Sequence, residues 1–118
     1  MSNIEFNEIN LRFKREVNSM THLLPEIYRD AIKEDAQKVI TQFQPDIEKW
    51  LVRLKNKNMS CFEIESLLQS RLNEVSLNSL QQTCDESQTV EKIKNNILNL
   101  IAKSVLNTYL YSMFKDVT

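Results

Sequence analysis

Glycine is absent from this 118-residue chain, where average usage would supply about eight. Only a residue without Cβ takes positive φ at little cost or lets a backbone touch a ligand closely. Phosphate-cradling loops, the dinucleotide-binding turn and the nucleophile elbow all depend on that freedom, so none of these sites is expected. Tight two-residue hairpins and glycine helix caps are disfavoured for the same reason. Proline occurs twice, cysteine twice and histidine once. What is left to build with predicts an all-α fold, its long helices joined by polar loops.

An excess of charge of one sign is also lacking. Lys and Arg number 15 against 16 Asp and Glu, for a net charge of -1, so the whole-chain field gives no reason to expect nucleic acid, a membrane surface or a strongly acidic partner. Residues 1–6 show no positive flank followed by an apolar core, so no secretory signal is expected and a cytoplasmic location follows. The one long apolar stretch, residues 97–114, is interrupted by Asn99, Lys103, Ser104, Asn107 and Thr108. A lysine near the centre of a membrane helix costs about 2.5–3.5 kcal/mol, so this stretch reads as a helix buried within a bundle. A chain of this length forms one domain, 1–118, and buries about two-thirds of its unfolded surface without disulfide, metal or cofactor.

Ser2 and Glu5 form a capping box that opens a first helix, with Ile9, Phe13, Val17 and Met20 at helical spacing, running to about His22. Pro25 either starts a second helix or kinks one long helix. The second segment directs Ile27, Tyr28, Ala31, Ile32, Val39, Ile40 and Phe43 toward a core. Pro45, followed by Asp46 and Glu48, opens a short third helix whose buried stripe is Ile47, Trp50, Leu51 and Leu54. Lys55-Asn56-Lys57-Asn58 ends it. Ser60 with Glu63 is a second capping box, and Met59 against Ile64 a hydrophobic staple. The spacing then predicts a continuous fourth helix from Cys61 to about Gln82, carrying Ile64, Leu67, Leu68, Leu72, Val75 and Leu80. Asp85 or Ser87 caps a last helix of roughly 27 residues, about 40 Å long, ending at Lys115. Its apolar surface is wider than the single stripe of a surface helix, so it is either central or shared with a partner. The expected architecture is an antiparallel bundle of four long helices plus the short Pro45 helix.

His22, Glu26 and Asp30 form a ladder at four-residue steps. A bundle di-metal site wants Glu-x-x-His motifs on two helices, and the chain has none, so no metal site is expected. Arg15 precedes His22 by six intervening residues, a spacing that resembles the Arg-to-His motif of HEPN-type helical ribonucleases. The resemblance implies a histidine acting as general acid or base in a dimer cleft. Here the pair lies in the first helix, whereas that family places it late in its bundle. Only His22 is available as an imidazole base, so no Ser-His-Asp or Cys-His pair is argued.

Cys61 and Cys84 would lie about 33 Å apart at the ends of a continuous fourth helix, beyond the roughly 7 Å that a disulfide spans. Cys61 sits at a helix start, where the dipole lowers a thiol pKa, yet Met59, Phe62 and Ile64 around it suit a packed position. Two basic groups, Arg12, Lys14 and Arg15, then Arg53, Lys55 and Lys57, are suited to contacting a phosphate backbone, with Glu8, Glu16, Glu48 and Glu63 interleaved. Residues 109–114, Tyr-Leu-Tyr-Ser-Met-Phe, are apolar on all sides at the end of the longest helix and contain the types enriched at interfaces.

Two functional expectations follow. The first is a non-catalytic interaction module, a small regulator, chaperone, inhibitor or immunity-type protein, that binds another protein or a second copy of itself through Tyr109, Tyr111, Met113 and Phe114. The second is an RNA-binding or HEPN-like RNA-cleaving bundle using Arg15, His22 and the basic groups.

Overall fold

The computed structural model describes the backbone of residues 3–117 and the side chains of residues 5–114. Within them the chain forms α1 (Asn3–Thr21), α2 (Glu26–Gln42), α3 (Gln44–Lys55), α4 (Cys61–Ser70), α5 (Asn78–Thr83) and α6 (Ser87–Val117), with a 3-10 turn at Leu72–Glu74. There is no strand among the described residues. The all-α bundle is as the composition predicts. Ser2, the expected cap of α1, lies outside the described residues, as do the side chains of residues 115–118.

Pro25 separates two helices. It holds φ -54° and ψ 147° immediately before α2, the extended geometry that ends one helix and leaves the next to begin in its first turn. One consequence corrects the expected core: Ile27, in that first turn, is 62% exposed. At about 100° per residue Ile27 falls to one side of the stripe formed by Ala31, Ile32, Ala36, Val39 and Ile40, all buried. Phe43 caps the end of α2 and the start of α3 at once, with Pro45 in the first turn. Ile47, Trp50, Leu51 and Leu54 form the buried stripe of α3.

The fourth helix is not continuous. It ends at Ser70, passes through the 3-10 turn, extends at Val75 (φ -98°, ψ 132°) and restarts as α5. Two tertiary anchors hold this break. Arg71, at the end of α4, forms ion pairs with Asp46 and, at 3.1 Å, with Glu74, and its guanidinium stacks 4.6 Å over the ring of Phe43. Those hydrogen bonds, Asp46 first and Glu74 second, hold the Arg71 pKa above its ordinary value. Asp35 of α2, 1% exposed, accepts the backbone N–H groups of Ser79 at 3.1 Å and Leu80 at 2.8 Å. Since α5 has no capping side chain of its own, this carboxylate satisfies two of the donors that a helix start leaves free. Val75, Leu77 and Leu80 are nonetheless buried, so the apolar residues reach the core by a bent path.

The break also removes the continuous helix from which the separation of the two cysteines was argued. Both are free thiols, Cys61 exposed and Cys84 half-buried. Cys61 is therefore not the packed residue expected from its neighbours, and Phe62 beside it is 74% exposed. The staple explains this. Met59 and Ile64 are both buried, so the residue before the cap fills the inner space ahead of α4. The capping box is present: Ser60 Oγ accepts from the Glu63 N–H at 3.3 Å, and the Ser60 N–H donates to Glu63 Oε1 at 3.2 Å.

The last helix has 31 residues, about 46 Å at 1.5 Å per residue, and the molecule's longest Cα extent is 47 Å. The Val90 N–H donates to the Glu86 carbonyl, which puts Glu86, not Asp85 or Ser87, at the cap position. α6 lies antiparallel to α1, since Lys103 pairs with Glu16 at 3.3 Å while Tyr111 meets Arg12. Ile97, Leu98, Ile101, Ala102 and Val105 of α6 are buried in one core cluster that draws on every helix. No described helix is long and apolar enough to cross a membrane.

Candidate partner-binding surface

The inward face of α6 holds as far as Thr108, which is buried, and Tyr109, which is half-buried against the core. Beyond them the pattern changes. Leu110, Tyr111, Met113 and Phe114 all stand in solvent, with Tyr111 53% and Phe114 70% exposed. Successive helical residues advance by about 100°, so these four side chains fall within one arc of about 160°, on the side of the helix away from Val105 and Thr108.

Neighbouring elements give this end a polar frame. From α1, the guanidinium of Arg12 lies 5.4 Å from the Tyr111 ring centroid, a cation–π contact worth about 0.5–1 kcal/mol at an exposed site. From α3, Lys55 pairs with Glu5, and Lys55 and Lys57 line an open cavity of about 270 Å³ together with Tyr109, Ser112 and Met113. Lys57 takes the left-handed φ of 59°. The Lys57 N–H donates to the Leu54 carbonyl at 3.1 Å and the Asn58 N–H to Arg53 at 2.8 Å, the paired bonds of a Schellman cap. A lysine thus does the work usually given to glycine, at a position that lines the same cavity as Tyr109 and Met113.

The basic and catalytic candidates are distributed differently. Lys14 lines a cavity between α1 and α2, and Arg53 an open hollow along α3 with Pro45, Glu48, Lys49 and Val52. Arg15 is exposed on α1. His22 lies beyond the end of α1, exposed, with Nδ1 donating to the Ser19 carbonyl at 3.1 Å. Glu26 and Asp30 belong to the separate helix α2, so the four-residue ladder does not share one helical face. Among the described residues no three His, Cys, Asp or Glu side chains come together as a metal-binding group.

Two parts of the exposed apolar surface escape the sequence pattern. Leu110, part of the apolar run 109–114 but not among the side chains expected to bind, belongs with Tyr111, Met113 and Phe114 on the outer side of α6. Leu23, 86% exposed, forms a second group with Leu24 and Ile27 at the α1–α2 connection. The Leu-Leu-Pro sequence could have marked it, because a proline that ends one helix exposes the residues just before it. Comparison of the chain with family models, curated proteins and solved structures finds no match.

Proposed function

We propose that this chain is a non-catalytic protein–protein interaction module that holds another protein on the C-terminal end of α6. The observation carrying the proposal is the change along one helix: core residues through Val105 and Thr108, then Leu110, Tyr111, Met113 and Phe114 in solvent. Apolar side chains gathered in one exposed place, with a polar rim, are the usual mark of a contact surface, and Tyr, Phe and Met are enriched at such surfaces. Arg12 and Lys57 on the rim define the partner's chemistry. It presents apolar side chains flanked by carboxylates. A two-fold pairing of this end with itself would bring like charges together, which disfavours it.

The test is capture of a partner from the native host with the wild-type chain and with a Tyr111→Lys, Phe114→Lys variant, followed by rebinding of the purified partner over a range of salt. The proposal requires that the variant fail to capture what the wild type captures and that affinity fall only modestly with salt. Affinity that collapses with salt and depends on Arg12, Lys14, Arg15, Arg53, Lys55 or Lys57 would instead indicate phosphate contacts. Association of the wild-type chain with itself alone would make the partner a second copy.

A further inference from the structure

The bend between α4 and α5 is not written into the local sequence. Residues 61–84 contain no proline and no glycine, and the turn at 71–77 is held from outside: Asp46 and Phe43 receive Arg71, and Asp35 of α2 accepts the Ser79 and Leu80 N–H groups. Helix geometry shows what the bend achieves. In a straight helix, at about 100° per residue, Ile64, Leu68 and Val75 would share one face and Leu77 and Leu80 the opposite one, about 120–180° away. All five are buried in a single core cluster, so one chain needs the bend to bring both faces to one core.

A straight helix would bury the same side chains only between two bodies, the first face against the earlier helices of its own chain and the second against α2 of another copy. The elements after the bend suit that exchange. α5 packs on α2, and α6 on α1, α3 and α4, so these contacts can be remade on a second copy without any new surface, which is what makes domain swapping a low-cost route to a dimer. The closed form keeps one set of bonds that the open form lacks. Straightening turns the Ser79 and Leu80 N–H groups to carbonyls of their own helix and leaves Asp35, 1% exposed, without them. A buried acceptor without its donors is unfavourable, so Asp35 favours the bent chain.

We propose that residues 71–77 are a hinge at which two copies of this chain exchange α5 and α6, each chain's α4 and α5 joining in one straight helix, and that Asp35 is the latch that holds the chain closed as a monomer. The exchange does not use the exposed end of α6 and stands whether or not a partner protein binds there.

The experiment refolds the whole chain from urea as an equal mixture of isotopically light and heavy protein, at low and at high chain concentration, and separates monomer from dimer by size-exclusion chromatography with light scattering. A carbodiimide then joins Lys103 to Glu16, an ion pair at 3.3 Å that spans the hinge, and mass spectrometry of the joined peptides tells whether both halves come from one chain. Monomer should give peptides of a single isotope, and dimer should give mixed-isotope peptides. Asp35→Ala should raise the dimerisation constant about tenfold or more. Ser76→Pro should abolish the dimer and leave the monomer folded. Val75 is already extended, as a residue before proline prefers, and Ser76 is exposed with no backbone partner for its N–H among the described residues, whereas a proline inside the straight helix would break it. The isotope readout does not depend on Ser76→Pro folding. A dimer whose Lys103–Glu16 peptides carry one isotope, a dimer undiminished by Ser76→Pro, or an Asp35→Ala chain as monomeric as wild type would each overturn the proposal.

Discussion

Lys57 occupies the left-handed region at φ 59°, where a side chain with Cβ sits roughly 1 kcal/mol less comfortably than glycine. Glycine in turn loses more freedom on folding, so Lys57→Gly is expected to stabilise the protein by about 0.5 kcal/mol. In calorimetry this appears as a rise in Tm of about 2 °C, whereas a fall would show that the lysine side chain itself supports the cap. Ser60 and Glu63 present the opposite case, in which local chemistry already matches local geometry. Replacing both with alanine removes the reciprocal bonds at the start of α4 and costs about 1 kcal/mol, or about 4 °C in Tm. An unchanged melting curve would mean that the staple alone fixes this helix start. The capping box is legible in the sequence because its residues are neighbours. The left-handed cap is legible only as a helix stop, since no glycine marks the residue that turns.

At the scale of elements, the division of the expected fourth helix into α4, a 3-10 turn and α5 depends on residues remote in sequence. Asp35 lies 44 positions from Ser79, and no local pattern announces that a carboxylate from α2 will cap α5. Arg71 is anchored by Asp46, 25 positions away, so a run of apolar residues at helical spacing reads as one helix while tertiary bonds bend it. Asp35→Ala would leave the Ser79 and Leu80 N–H groups without their acceptor, and a buried unpaired donor costs about 1–3 kcal/mol. Urea unfolding should show a loss of about 2–4 kcal/mol, with Asp35→Asn losing less because one acceptor oxygen remains. A midpoint unmoved by Asp35→Ala would mean that the break does not need its cap. The proline boundary is visible in sequence as a choice between kink and restart. The restart places Ile27 in the first turn of α2, off the side of its buried stripe.

For the whole molecule, shape follows from the length of one helix. α6 runs about 46 Å along a body whose Cα extents are 47 × 27 × 20 Å. The radius of gyration is 14.8 Å, above the roughly 13.5 Å of a compact chain of this length. α1, with 19 residues, reaches only about 28 Å and, with Glu16 at Lys103 and Arg12 at Tyr111, lies beside the C-terminal half of α6. The long apolar helix is central through Val105 and carries exposed apolar side chains from Leu110 onward. The surplus of apolar surface on this helix, and its place near the end, are legible in the sequence. That Tyr109 turns inward while Leu110 turns out is not, because it depends on the side of α6 on which the neighbouring helices pack.

The most direct measurement compares Tyr111→Lys, Phe114→Lys with wild type in two readouts, circular-dichroism melting and binding to the captured partner, with Leu23→Lys as an exposed apolar control at the α1–α2 connection. Because both aromatic rings are largely in solvent, the double variant should melt within about 2 °C of wild type, even though Arg12 then has no ring to stack on. Its binding should fall by about thirtyfold or more, the signature of hot-spot residues at a contact centre, while Leu23→Lys binds as wild type does. Unfolding of the double variant would place these side chains in the core, and undiminished partner binding would contradict the account.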